Sequence, residues 1–245
     1  MKLFREIFGR IWALWGIIVF VPSMFVALLF YVFCFLMKEP QAARWHRTVS
    51  RIWMYYFLFL VGCPLRVKGA NHFIKGENYV VTCNHSSLMD VPVTTPFMPN
   101  ANKTIAKKSF TAIPFFGWIY ALGSVLVDRK SDASRRKSID DMKKILTLGL
   151  DMVIYPEGTR NKTGEPLKSF YDGAFKLAID MNKRVVPTLI FNTGKALPPG
   201  KPFFFLPYKL EMHFLPPVES KGKSVAELKA EVFKMMWDYY VANRS

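Results

Sequence analysis

A chain of 245 residues is long enough for one domain and an appendage. Its formal net charge of +16 points to anionic partners: lipid headgroups, a phosphorylated substrate, an acidic carrier or nucleic acid. Cys34, Cys63 and Cys83 and the scattered His46, His72, His85 and His213 exclude a zinc pattern, and argue for a reduced, cytosolic-facing protein without disulfides or a bound metal. Residues 1–62 hold seven Lys/Arg and two Asp/Glu, so the remaining 27 basic and 16 acidic residues leave +11 on the rest of the chain.

From Ile11 to Met37 no residue is charged. As a helix, this run would reach about 40 Å, more than a hydrocarbon core of roughly 30 Å. It is too long for a cleaved signal peptide and no small-residue cleavage site follows it. Pro22-Ser23 near its centre predicts a kinked span or two short helices. A second apolar stretch, Ile52 to Val61, is short and aromatic, as suits an interfacial or re-entrant helix. Lys2, Arg5 and Arg10 precede the long run, and Lys38, Arg44, Arg47 and Arg51 follow it. The positive-inside rule draws both flanks to the cytoplasmic face of the cell membrane, which a hairpin in one leaflet satisfies and a single span satisfies on one side only. Residues 1–62 are therefore expected to be membrane-associated helices and 63–245 a catalytic domain.

Beyond Gly62 strand-like and helix-like segments alternate. Strands are predicted at Leu65–Lys68, Tyr79–Cys83, Ser124–Val127, Met152–Tyr155, Val185–Phe191 and Lys209–Leu215. Pro114 opens a helix to about Leu122 that Gly123 stops, and Ser131 or Asp132 caps another whose Ile139, Met142, Ile145 and Leu146 share a face. A further helix is predicted over Tyr171–Met181. Ser224 and Glu227 form a capping box for a last helix with an apolar stripe of Leu228, Val232, Met235, Met236 and Tyr239, read as core packing. The pattern implies an α/β fold, a mixed sheet flanked by helices, with ligands collecting beyond the carboxyl ends of strands.

Three polar groups follow such strands. Asn84 to Asp90 reads NHSSLMD, Gly123 to Arg129 reads GSVLVDR, and Glu157 to Arg160 reads EGTR. A histidine and a carboxylate held together can take a proton from an alcohol. Imidazole suits this because its reference pKa of about 6.5 lies near working pH, and Asp90 would fix the ring tautomer. Five residues apart on one helix the two side chains would point about 140° apart. The pair must therefore straddle a strand-to-helix turn, with Asp90 in the first helical turn. Guanidinium forks bind phosphate in pairs, so Arg129 and Arg160 are candidate phosphate ligands with Lys107 a third, against the solvated or salt-bridged role usual for a surface arginine. Glu157 would brace an arginine or bind the acceptor, and Gly158 would let backbone approach a ligand. Arg135, Arg136, Lys137, Lys143 and Lys144 read as a solvated helix face. Ser86, Ser87 or Cys83 would be the nucleophile of a covalent route, against which the serines suit helix capping and Cys83 suits packing.

His85 and Asp90, Gly123–Arg129, Glu157–Arg160 and Val186-Pro-Thr-Leu-Ile190 resemble, in this order, the four blocks of the glycerolipid acyltransferase family, and within it the 1-acyl-glycerol-3-phosphate acyltransferases. Ala106–Ser109 and Ile113–Gly117 between them are similar too. The resemblance implies direct transfer of a fatty acyl group, from acyl-CoA or acyl carrier protein, to the sn-2 hydroxyl of lysophosphatidic acid, giving phosphatidic acid. It also implies His85 as general base oriented by Asp90, no cofactor, and acceptor binding by Arg129, Glu157, Gly158, Thr159 and Arg160. Some bacterial relatives carry an N-terminal two-helix membrane motif. Asp172 stands before Gly173 where relatives often carry a basic residue. Rival expectations are the same chemistry on glycerol-3-phosphate or another lysophospholipid, and a basic membrane-anchored binding protein without turnover. An anionic membrane surface is an expected partner. Nucleic acid is not, since no recognisable nucleic-acid motif is present.

Overall fold

The computed structural model describes residues 2–128 and 130–244; Arg129, expected to hold phosphate, lies outside the described residues. Helix α1 (Lys2–Tyr31) is assigned as one helix through Pro22. Pro22 is solvent-exposed, and Ser23 donates its hydroxyl to Val19 O at 2.6 Å. A 3-10 turn over Val32–Leu36 leads to α2 (Gln41–Leu60). Four indole N–H groups join the helices antiparallel: Trp12 to Val61 O at 3.0 Å, Trp15 to Leu60 O at 3.0 Å, Trp53 to Ser23 Oγ at 2.9 Å, and Trp45 to Phe30 O at 2.8 Å. The chain reversal thus lies after residue 31, not at Pro22.

Among the described residues, seven strands make one sheet: β1 (Leu65–Lys68), β2 (Val80–Cys83), β3 (Asn102–Lys107), β4 (Ser124–Val127), β5 (Asp151–Ile154), β6 (Val185–Phe191) and β7 (Leu210–Phe214). Across the sheet they run β1-β7-β6-β2-β5-β3-β4, all neighbours parallel except β6 and β7. The mixed α/β sheet expected from the sequence is present, with one strand, β3, that the pattern did not predict. Between and beyond the strands lie α3 (Asp90–Phe97), α4 (Phe116–Leu122), α5 (Asp132–Thr147), α6 (Gly173–Asp180), α7 (Thr193–Ala196) and α8 (Val225–Asn243). Ser131 caps α5 through Ser134 N, and the Ser224–Glu227 capping box opens α8.

Successive side chains on β2, β5 and β6 alternate between two cores, which is why these strands read as nearly continuous apolar runs. Val80, Met152, Ile154, Val185 and Leu189 pack with Met142 and Leu146 of α5, Phe175 of α6, and Leu228, Val232 and Met236 of α8. Val81, Val153, Tyr155, Val186 and Ile190 pack on the other face with Val93 of α3, Ala13 of α1 and Leu58 of α2. The helix pair therefore shares a core with the sheet. Because β2 to β6 are mutually parallel, their carboxyl ends meet along one edge. That edge holds the site.

Candidate active site

Just past β2, Asn84 acts as an extra rung of the sheet. Its Nδ2 donates to Ile190 O at 3.0 Å and its Oδ1 accepts from Ile190 N at 2.7 Å. The fourth block, lying in β6, thereby fixes the residue before His85. Glu157, past β5, is buried; its Oε1 accepts from His85 N at 2.7 Å and its Oε2 from Lys168 N at 3.0 Å. Asn161 N donates to His85 O at 2.6 Å. The segment 157–161 thus holds both backbone groups of His85. Burial pushes the Glu157 carboxyl above its ordinary value, and the N–H groups of His85 and Lys168 partly offset this. Glu157 was expected to brace an arginine or meet the acceptor, but it turns inward to backbone instead.

His85 Nδ1 lies 2.8 Å from Asp90 Oδ2, at the first residue of α3. The same oxygen accepts from Ser86 N at 2.6 Å and Ser87 N at 2.7 Å, and Oδ1 lies 2.5 Å from Thr193 Oγ1. The predicted strand-to-helix straddle is therefore what brings the pair together. A carboxylate with such donors accepts from the ring, so the neutral imidazole carries its hydrogen on Nδ1 and keeps a lone pair on Nε2. Tyr155 supports the ring at a centroid distance of 4.6 Å. Its hydroxyl donates to Thr94 Oγ1 at 2.6 Å, because Thr94 gives its own hydrogen to Asp90 O at 2.8 Å. Burial raises the Tyr155 phenol well above its ordinary value, so it stays neutral.

Residues from both helices of the N-terminal pair and from the carboxyl edge of the sheet line one cavity of about 470 Å³. His85, Lys107, Gly158, Thr159 and Arg160 border it, together with apolar Phe20, Trp53, Met54 and Ile119 from α1, α2 and α4. Lys168 Nζ donates to Thr159 Oγ1 at 2.6 Å. Gly158 has φ 70°, and a Cβ there would stand 2.7 Å from the Tyr171 ring, so the glycine serves this packing. The site can accept a proton beside the cationic Lys107 and Arg160 and an apolar chamber. The alternative nucleophiles are engaged elsewhere: Ser87 Oγ donates to Leu197 O at 2.8 Å, Ser86 Oγ meets Thr193 Oγ1 at 3.1 Å, and burial raises the fully buried Cys83 thiol. Of the basic residues on α5, Lys143 pairs with Asp180 at 2.8 Å and Lys144 with Asp141 at 3.2 Å, as a solvated face would. Asp172 pairs with Lys229 of α8 at 2.6 Å. Tyr155 and Thr193 were not singled out from sequence, although each directly follows or nearly follows a strand's carboxyl end.

Residues 64–191 match the Acyltransferase family. The chain is 29% identical over 194 residues to the 1-acyl-sn-glycerol-3-phosphate acyltransferase of Limnanthes douglasii, covering 78% of this chain and 65% of that protein. It is 30% identical over 178 residues to the enzyme of that name from Saccharomyces cerevisiae, covering 69% of this chain and 55% of the other. It thus spans between about half and two thirds of these relatives' length. The crystal structure of the 1-acyl-sn-glycerophosphate (LPA) acyltransferase PlsC from Thermotoga maritima superposes with a TM-score of 0.81 over 100% of this chain and 99% of that one, at 24% identity. That likeness is one of fold.

Proposed function

Because this chain belongs to the Acyltransferase family, we propose that it moves a fatty acyl group from an acyl thioester to the sn-2 hydroxyl of 1-acyl-glycerol-3-phosphate, giving phosphatidic acid. The observation that carries this reading is the His85 Nδ1–Asp90 Oδ2 bond of 2.8 Å at a cavity bordered by Lys107, Arg160 and apolar side chains. The printed names of the relatives agree with it.

In the reaction, His85 Nε2 takes the hydroxyl proton as the acceptor oxygen bonds to the thioester carbonyl carbon. Asp90 stabilises the imidazolium that forms. The carbon–sulfur bond then breaks, and His85 returns the proton to the departing thiolate. Lys107 and Arg160, with Arg129, hold the acceptor phosphate, and the apolar part of the cavity takes acyl chain. No acyl-enzyme is needed, in keeping with the engaged hydroxyls of Ser86 and Ser87. Helices α1 and α2 seat the protein on an anionic membrane at its cytoplasmic face. The donor is acyl-CoA or acyl carrier protein.

The test is purified protein with lysophosphatidic acid and each labelled donor, following phosphatidic acid. His85→Ala is expected to lose about 10²–10⁴-fold in turnover, the usual weight of a general base. Arg160→Ala is expected to raise the Michaelis constant for lysophosphatidic acid by about 10-fold or more, as loss of a charged contact does. Glycerol-3-phosphate serves as competing acceptor. Near-normal turnover by His85→Ala would sink the mechanism.

A further inference from the structure

Thr193 opens α7, two residues beyond the end of β6, and is fully buried. Asn192 before it takes a left-handed backbone, φ 68°, which turns the chain back over the carboxyl edge of the sheet. Thr193 Oγ1 then lies 2.5 Å from Asp90 Oδ1 and 3.1 Å from Ser86 Oγ. A carboxylate only accepts, so the single hydroxyl hydrogen of Thr193 goes to Asp90, and Ser86 must donate to Thr193. This leaves an ordered chain, Ser86 to Thr193 to Asp90, that ends on the oxygen His85 does not use.

The other oxygen, Oδ2, serves three donors: His85 Nδ1 and the N–H groups of Ser86 and Ser87. The torsion about Cβ–Cγ is soft and turns both oxygens together, so a bond to Oδ1 also restrains where Oδ2 points. We infer that Thr193 is a positioning residue for the acyl transfer: its hydroxyl fixes the Asp90 carboxylate so that Oδ2 faces the His85 ring, and draws Ser86 Oγ away from it. The inference rests on His85 acting as the base. Thr193 touches neither substrate nor the reacting proton, and acts through Asp90.

The experiment uses the full chain with vesicles containing lysophosphatidic acid, and compares wild type, Thr193→Val and Thr193→Ser. Valine keeps the shape and loses the hydroxyl; serine keeps the hydroxyl. Thr193→Val is expected to lower kcat about 10-fold or more, with the Michaelis constant for the acceptor within about twofold. Thr193→Ser should restore kcat. Proton NMR of the micelle-bound protein gives a readout independent of turnover: the hydrogen-bonded Nδ1–H signal of His85 should broaden or vanish in Thr193→Val and persist in Thr193→Ser. If the valine variant does not fold, Thr193→Ala takes its place. An unchanged kcat with an unchanged Nδ1–H signal overturns the inference, as does a serine variant no better than valine, which would assign the loss to packing. If wild type fails to acylate lysophosphatidic acid, the reaction proposed above falls, while the NMR comparison still decides whether Thr193 orders the pair.

Discussion

Two fully buried carboxylates at opposite ends of the sheet are treated differently by their neighbours. Asp90 faces four donors on its two oxygens. Asp151, at the amino end of β5, has Oδ1 bonded by Tyr79 N at 2.9 Å and Asn100 Nδ2 at 3.3 Å, while Oδ2 has no donor among the described residues. Its register partner on β3, Asn102, presents a second acceptor without a protein donor. Burial pushes the Asp151 carboxyl from its ordinary 3.8 up to about 7. A carboxyl raised on folding stabilises the protein fully below its unfolded value and loses that contribution as pH rises through the folded one. Wild-type stability should therefore fall between pH 4 and pH 7 relative to Asp151→Asn, by at most about 1.4 kcal/mol per pH unit, and run parallel to it above pH 7. Denaturant melts of both proteins from pH 4 to 9 check this; parallel curves throughout would mean that Asp151 is ionised on folding as in the unfolded chain.

At the scale of elements, α3 carries Asp90 at its first residue and meets α2 at its last. Its terminal carbonyls need donors, and arginines of α2 supply them. Arg51 Nε donates to Pro96 O at 2.8 Å and its Nη2 to Met98 O at 2.6 Å; Arg47 Nη1 donates to Met98 O at 3.0 Å and also to Pro99 O. The helix bearing Asp90 is thus tied to the helix pair. Arg51→Leu is expected to cost about 1.5–3 kcal/mol of stability and to lower kcat, with Arg51→Lys intermediate because one ammonium cannot span both carbonyls. Thermal melts and turnover measured together test the link; a variant that melts earlier with full kcat would separate the two. Element bounds carry the same lesson about what is legible in the chain. Strand β3 reads NKTIAK and was missed, because its buried Asn102 and Thr104 look polar until neighbouring strands cover them. Gly123 was expected to stop α4, and it does follow Leu122, yet its φ is −90°. The glycine is needed because a Cβ would stand 2.6 Å from the His46 ring of α2.

On the whole molecule, the outer face of α1 leaves Ile7, Ile11, Ile18, Phe25 and Leu29 exposed at helical spacing, and α2 adds Ile52, Tyr56 and Phe59. Exposed apolar surface on this scale needs a partner, and α1 is long and apolar enough to cross a bilayer. Because the same helices share a core with the sheet, the cavity stands beside whatever covers that face. Ile18→Lys with Phe25→Lys should abolish flotation with anionic vesicles while leaving the melting temperature within a few degrees, since neither side chain is buried. Binding by the wild type should persist in about 1 M salt if apolar burial dominates, and be lost if the +16 charge alone holds it. Retained flotation by the double variant would shift the membrane contact away from α1.

Sequence by itself determined what depends on local pattern: the apolar front end, six of the strands, the Ser224–Glu227 capping box, and the placing of His85 and Asp90 across a strand-to-helix turn. Spacing sufficed there because side-chain direction along a helix or strand follows from backbone geometry. Tertiary structure alone decided what depends on distant segments meeting. It turned Glu157 from acceptor to the backbone of His85, 72 positions away, and brought Thr193 to Asp90 across 103. It also placed α1 and α2 as walls of the cavity instead of a separate anchor. Such contacts are set by sheet order, with β6 beside β2 and β2 beside β5, and strand order follows from how all the apolar faces are buried together.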